Sequence, residues 1–451
     1  MVDDDNIGPR SRYYDAVLRI LDNDIAPELK SARATYSYTF VRKLLSRLAA
    51  VSDHLPVYPE NLAALHAEAM AIDCMPESRD ELYAALQEEG RLMDAMESAT
   101  DERMKPRSKA AETATALPET ITVASVQAYL RARLDPTTTV SKLQVLSGGR
   151  SKQTILFTMT DADGKEIERV IRRDLTSSPT GGTVPEEYAL LAALADRGLP
   201  VPRPVLCEPD ASKLGSPFII VEKIAGGLAG HAFDPPNRAA TLDSARVLGQ
   251  LHALPAAEIA PAIKERSRVA PDAAKIRELV LDLKKSWDEN ARAYSVTIDY
   301  VFAWLLDNIK NLHPLTTVVH ADYSYHNLMF DGDRLSAVLD WELVRIGHPA
   351  EDLGYIRPAV LKRMPWEDFM AAYHAGGGPA INHKDVVFYT LLEKMRLTAM
   401  MFRVRGYLES GFTDDIELAY AFAVSVPRTI HQASTEIRAV LGIADLPGPV
   451  L

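Results

Sequence analysis

Val318–Asp352 reads VVHADYSYHNLMFDGDRLSAVLDWELVRIGHPAED, and the interpretation of the whole chain turns on it. The apolar pair Val318-Val319 leads into His320-Ala321-Asp322, and Asn327 completes an H-x-D-x-x-x-x-N pattern. Leu328-Met329-Phe330, the turn Asp331-Gly332-Asp333, and Leu335, Ala337, Val338 and Leu339 then predict two short strands about a glycine turn. Asp340 stands just beyond the second strand. Two carboxylates and an amide are thereby expected at one end of a hairpin.

Such a set suits phosphoryl transfer from ATP. One carboxylate has to orient the attacking hydroxyl and accept its proton, while a second carboxylate and an amide oxygen hold Mg²⁺, a hard cation that prefers oxygen ligands. Asp322 fits the first role, and Asn327 and Asp340 fit the second. The order of the three is that of the protein kinases, with Trp341-Glu342 in place of the usual Phe-Gly. Asp and Asn favour turns in any case, so each residue alone would pass for part of an acidic surface hairpin. Their joint order and spacing carry the inference.

HADYSYHN, LDWE and GHPAEDLG together resemble the signature of the aminoglycoside phosphotransferase and choline kinase family, small-molecule enzymes with the protein-kinase-like fold. The resemblance covers roughly the last three quarters of the chain. It implies an α+β, bilobal kinase-like domain, preceded here by an N-terminal all-helical bundle. It also implies that His320 and Asp352 support the catalytic loop rather than touch substrate. His252, within GQLHALP, resembles a family feature and reads as a satisfied core or capping histidine rather than a ligand.

The composition agrees with an ordinary folded protein: 451 residues, 47% hydrophobic and 25% charged, long enough for two or three folding units. A formal charge of −12 argues against a general nucleic-acid or anionic-membrane surface. Cys74 and Cys207 lie far apart, without the spacing of a zinc site or a disulfide framework, which predicts a reducing, cytoplasmic setting. The acidic start MVDDDNIGPR is unlike a signal peptide, and no apolar run approaches the roughly 18 residues of a membrane span. A soluble, unprocessed protein is expected.

Helical periodicity runs from Arg12 to about Met104, through Tyr14, Val17, Leu18 and Leu21, then Phe40, Val41, Leu44 and Leu48, then Leu62, Leu65 and Ile72, and finally Leu82, Leu86, Met93 and Met96. Residues 1–104 are read as the bundle, a docking or oligomerisation module without chemistry of its own. Its YYDAVLRILDNDIAPEL and FVRKLLSRLAA segments resemble small helical partners of hydroxyacyl-CoA kinases. The stretch 105–120, KPRSKAAETATALPET, loses that periodicity and is read as a linker. Residues 121–225 are expected to form a small antiparallel sheet with a helix, and 226–451 a helical lobe with the catalytic loop and acceptor pocket.

Within 121–225, Leu143 to Met159 reads as two strands interrupted by Ser147-Gly148-Gly149-Arg150-Ser151. In a kinase-like domain this is the glycine loop, in which Gly148, Gly149 and Ser151 approach phosphate oxygens because bulky side chains are missing. The strand Glu168–Arg173 offers arginine where a kinase carries its phosphate-binding lysine; Arg172 is the first candidate and Arg173 the alternative. Glu187, in the helix after Pro185, is expected to pair with that cation, although acidic residues in a first turn also favour the helix dipole. The backbone from Glu222 to Ile224 is the expected hinge for the adenine. Farther on, Asp385, Glu393 and Arg396 read either as contacts to a polar acceptor or as solvated helix faces. The methionines and aromatics from Phe388 to Phe402 read mainly as core.

The expected activity is transfer of the γ-phosphoryl group of ATP, with GTP as the alternative donor, to a hydroxyl on a small molecule with Mg²⁺ as cofactor. An aminoglycoside acceptor would call for many carboxylates, and a hydroxyacyl-CoA for apolar walls and basic residues. The apolar C-terminal segment with Arg396, Arg403 and Arg405 tilts the reading toward the second, as does a resemblance to kinase-like domains fused to acyl-CoA dehydrogenases. A nucleotide-binding scaffold without turnover is the rival from another class.

Overall fold

A computed structural model describes residues 79–103, 121–146, 152–174, 183–229, 235–291, 295–409 and 416–443. The expected glycine loop, with Gly148, Gly149 and Ser151, lies outside the described residues, as do the linker 105–120 and the bundle segments before residue 79. In chain order the elements begin with helices α1 (Arg79–Arg103) and α2 (Val123–Arg133) and strands β1 (Thr139–Leu146), β2 (Lys152–Thr160) and β3 (Glu166–Asp174). Helix α3 (Val184–Ala195), strands β4 (Pro204–Glu208), β5 (Phe218–Glu222) and β6 (Gly227–Leu228), and helix α4 (Arg238–His252) follow. Next come α5 (Ala273–Asn290), α6 (Val296–Asn308), β7 (Thr317–Val319), β8 (Leu328–Asp331), β9 (Arg334–Val338) and β10 (Arg345–Gly347). The last are α7 (Ala350–Val360), α8 (Trp366–Ala375), α9 (His383–Glu409) and α10 (Ile416–Leu441). They belong to two compact units, one within Glu112–Pro271 and His313–Thr390, the other within Met1–Ala111, Asp272–Leu312 and Leu391–Leu451.

In the first unit five antiparallel strands lie in the order β1-β2-β3-β5-β4. Alternation gives the sheet two faces. Val145, Ile155, Ile171, Ile220 and Leu206 form one row in register across all five strands, and all are buried. Helix α2 joins them in one core through Val126, Tyr129 and Leu130. Thr122 caps that helix, its hydroxyl accepting the Ser125 N–H at 3.0 Å. The β2–β3 turn is set by Gly164 at φ +76° and by the Asp161 carboxylate, which accepts the N–H groups of Asp163 and Lys165. On the other face of the sheet lie Thr154, Arg172 and Ile219, again in one row.

The expected hairpin forms β8 and β9 around Gly332, with β6 added as a third strand. Gly332 takes φ +60°, as the tight turn requires. Helix α4 and its cap anchor the hairpin: Asn237 donates to Asp333 at 2.7 Å, and Asp243 accepts the Leu335 N–H at 2.7 Å. A separate ladder pairs β7 with β10, bringing the start of the catalytic stretch beside its end.

The second unit is helical. Helix α1 buries Leu82, Leu86 and Met93, three of the positions at helical spacing. Its Glu89 is wholly buried and accepts the Thr297 N–H at 2.8 Å in the first turn of α6. Asp94 meets His431 and Arg438 of α10. Farther along the unit the rings of Trp287 and Phe402 stand 5.6 Å apart, and Met395 and Met401 are buried as core while Met400 is exposed. Among the described residues no helix is long and apolar enough to cross a membrane.

Candidate active site

The loop expected to be catalytic starts where β7 ends. Ala321 has φ +67°, a left-handed conformation that a residue with a Cβ adopts at a cost and only where its surroundings hold it. Asp352, in the first turn of α7, supplies that hold: its Oδ2 accepts the His320 N–H at 2.8 Å and its Oδ1 the Ala321 N–H at 2.7 Å. His252 Nε2 donates to the same carboxylate at 3.0 Å, while Tyr373 donates its hydroxyl to Nδ1 at 2.9 Å. Burial raises the Asp352 pKa, but the bonds from His252 and the His320 backbone outweigh it and leave the carboxyl below its ordinary range. His252 is therefore a satisfied core histidine whose tautomer is fixed on both sides.

His320 is also wholly buried. Its Nε2 donates to the Leu339 carbonyl at 2.8 Å, its Nδ1 accepts the Asp322 N–H at 3.2 Å, and its ring packs 4.6 Å from that of Trp341. Trp341 in turn donates Nε1–H to the Val338 carbonyl at 3.0 Å. The tryptophan that stands where a kinase has phenylalanine thus braces the loop.

The Asn327 amide nitrogen donates to the Asp322 carboxylate at 2.9 Å and to the Asp322 carbonyl at 3.1 Å. With both amide hydrogens engaged, the amide oxygen is the group left to meet a cation. Asp340 follows β9 at φ +63°, a second strained non-glycine position. Burial raises its pKa, Arg172 opposes the rise, and Glu187 and Asp322 reinforce it. Asp340, Asp322 and Glu187 therefore share one electrostatic neighbourhood with the Arg172 guanidinium. No described residue donates a hydrogen bond to the Asp340 carboxylate. No group of three His, Cys, Asp or Glu among the described residues could hold a metal by itself. An amide oxygen and one such carboxylate suit Mg²⁺, which keeps waters and takes phosphate oxygens as further ligands.

Arg172 meets Glu187 of α3, with Nη1 2.9 Å from Oε1. Strand alternation separates it from Arg173, which shares the face of Ile171. The capping box of Thr183 and Glu186 starts α3, with Pro185 in its first turn. Glu222 ends β5 with its N–H engaged by the Arg203 carbonyl at 2.9 Å, so the carbonyl is what it can offer an adenine; Ile224 is half-buried in the loop beyond.

Two features escaped the sequence reading. Lys152 donates to Asp174 at 2.8 Å, and both Asp174 oxygens accept the Val184 N–H at 3.2 Å, tying β2, β3 and the first residue of α3 together. The pair is opposed in register. Counting outward from the Asp161–Gly164 turn would have found it. The second is His326, whose Nε2 lies 3.7 Å from Asp322 Oδ2; burial lowers its pKa, but Asp322 outweighs that and raises it. Its position beside Asn327 gave no signal. Asp385 is neither a solvated face nor free for substrate, being buried against His313 at 3.0 Å and His348 at 3.7 Å. Glu393 and Arg396 pair with each other at 2.8 Å.

Comparison with known proteins adds three findings. Residues 142–386 match the family model described as "Phosphotransferase enzyme family". Acyl-CoA dehydrogenase family member 11 of Gallus gallus is 28% identical over 183 residues, 39% of this chain and 23% of that protein. Member 10 of Mus musculus is 25% identical over 246 residues, 51% of this chain and 22% of that one. The chain thus spans under a quarter of the length of these curated relatives. Among solved structures, a Ralstonia eutropha protein classed as an aminoglycoside phosphotransferase matches at 19% identity and a TM-score of 0.53, over 70% of this chain and 98% of that one. A macrolide 2′-phosphotransferase of type I matches at 18% identity and a TM-score of 0.50, over 68% and 97%. These two likenesses establish the fold.

Proposed function

The chain belongs to the phosphotransferase enzyme family, and on that premise we propose that it transfers the γ-phosphoryl group of ATP to a hydroxyl of a hydroxyacyl-CoA or similar metabolite. The observation that carries the catalytic part is the grouping of Asp322, Asn327 and Asp340 at one end of the hairpin, with Arg172 acting electrostatically on Asp340.

Asp322 orients the acceptor hydroxyl and takes its proton as the new oxygen–phosphorus bond forms and the bond from the γ-phosphorus to the bridging oxygen breaks, ADP leaving with that oxygen. The Asn327 amide fixes its carboxylate and keeps the reactive oxygen in place. Asn327 and Asp340 would hold Mg²⁺, which when bound neutralises charge on the β- and γ-phosphates. Arg172, held by Glu187, places a guanidinium against the phosphates in the role lysine plays elsewhere, and its fork can bind two oxygens at once. Gly148, Gly149 and Ser151 are assigned to cover the phosphates, and the backbone of Glu222 and Ile224 to receive the adenine.

The acceptor assignment rests on different ground. The names of the curated relatives favour an acyl-CoA over a polycationic aminoglycoside. The test is nucleotide consumption by the purified chain over hydroxyacyl-CoAs, alcohols, sugars and aminoglycosides, with ATP or GTP, and with or without Mg²⁺. Turnover confined to aminoglycosides would replace the acceptor, and no turnover with any panel member would favour a nucleotide-binding scaffold.

A further inference from the structure

Arg173 is the ionic group that the catalytic reading leaves unexplained. It is only 9% exposed, and its Nε and Nη1 atoms are buried without a hydrogen-bond partner. A guanidinium cannot shed its charge at ordinary pH, so removing it from water without a counter-charge is among the more costly arrangements a fold can keep. Burial pulls its pKa down, with no neighbouring group opposing the shift.

Among the described residues, the strand register places no free carboxylate beside it. Gln153 faces Arg173 across β2, Phe218 faces it across β5, and Glu208 stands beyond Phe218 on β4. Glu208 is the acid of that row, and it is engaged elsewhere, accepting the Tyr129 hydroxyl at 3.0 Å with Arg133 at 4.0 Å. Asp174, next along the chain, points by alternation to the other face, where it binds Lys152. Arg173 is left with an amide neighbour, an aromatic neighbour and an open set of donors.

We propose that Arg173, with Gln153 beside it, is an oxyanion site on the face of the sheet opposite Arg172, taking the phosphate group of a small ligand. A planar fork of N–H donors matches phosphate oxygens, and Gln153 can add an amide donor. The site is separate from the expected γ-phosphate position, because successive side chains of β3 point to opposite faces. Its phosphate can come from free inorganic phosphate or from a phosphate ester such as the 3′-phosphate of coenzyme A.

Calorimetric titration of the full chain, carried in an Asp322→Asn background so that turnover plays no part, separates this site from the catalytic reading. The probes are inorganic phosphate, coenzyme A and dephospho-coenzyme A, each against Arg173, Arg173→Lys and Arg173→Met proteins. At least one phosphate-bearing probe is expected to bind, with affinity falling roughly 10- to 100-fold in Arg173→Met, the range of a charge-assisted hydrogen bond, and less in Arg173→Lys. Binding of coenzyme A but not of its dephospho form identifies the ester as the source, and binding of inorganic phosphate alone identifies the free ion. Without phosphate, Arg173→Met is expected to melt no lower than the parent, since it removes an unpaired charge. Should Arg173→Met fail to fold, the Arg173→Lys and parent affinities decide. Equal affinities across the variants, or no binding of any probe to the parent, would overturn the site.

Discussion

Asp322 and Asp352 are both aspartates of one short stretch, and their surroundings give them opposite duties. Asp322 is partly exposed with one oxygen held by Asn327, whereas Asp352 is wholly buried and surrounded by donors. Asp322→Asn keeps the size and removes the charge and basicity, so single-turnover kinetics should show kcat lower by roughly 10² or more, the scale of lost general-base assistance. ATP affinity should change little. Near-normal turnover by a folded Asp322→Asn protein would remove the central assignment. Asp340→Ala should abolish Mg²⁺-dependent turnover, with a far larger loss than Glu342→Ala; a wild-type response to Mg²⁺ in that variant would displace the metal site. Asp352 acts on stability. Its folded pKa lies below the ordinary aspartate value of 3.8, so its contribution is fully present above that value and is lost as pH falls through the folded one. Asp352→Asn should lose on the order of 3 kcal/mol at neutral pH, where a buried charge–donor network is broken, and should show a flatter acid limb in denaturant midpoints below about pH 5.

Elements here are joined by single acidic side chains whose meaning depends on what they cap. Asp174 fastens the first residue of α3 to β3, and α3 carries Glu187 to Arg172. Asp174→Asn should therefore raise the KM for nucleotide severalfold with a smaller effect on kcat, since it loosens the helix that holds the phosphate-side arginine; an unchanged KM would leave the bond purely structural. Glu89 joins α1 to α6 in the helical unit by accepting the Thr297 N–H. Its pKa is raised by burial, against the opposing bonds from Ser295 and Thr297. The folded state therefore retains a proton that the unfolded chain has released. Stability should fall as pH rises from about 4.5, the ordinary glutamate value, through the folded pKa, and then level off. Glu89→Gln should abolish that slope in denaturant titrations, while Glu89→Ala should cost about 1–2 kcal/mol below pH 4.5, by leaving the helix-start donor unsatisfied, and less as pH rises.

For the whole molecule, the grouping of elements bears on truncation. The sheet, the catalytic hairpin and helices α2 to α4 share a unit that does not include α1, so a protein beginning near Leu117 should still bind ATP in calorimetry. Its helical unit, having lost Glu89 and Asp94 from α1, should melt earlier than in the full chain. A folded truncation with no nucleotide affinity would mean that the N-terminal segment completes the site. The fold class was legible because the hairpin, the strand alternation and the spacing of Asp322, Asn327 and Asp340 are local: each follows from residues within a few positions of one another. The role of His252 was legible as a satisfied core group, though its partners, Asp352 and Tyr373, lie a hundred or more residues away and could not be named. Sequence likewise left Arg172 and Arg173 as alternatives, since two adjacent arginines look alike until a strand gives them opposite faces. What the amino-acid sequence determined by itself was therefore the order and spacing of Asp322, Asn327 and Asp340 about the hairpin, which short-range geometry governs. The tertiary structure alone decided which arginine meets Glu187, which acids are buried and which helix each one caps, because those outcomes depend on faces and neighbours that only packing creates.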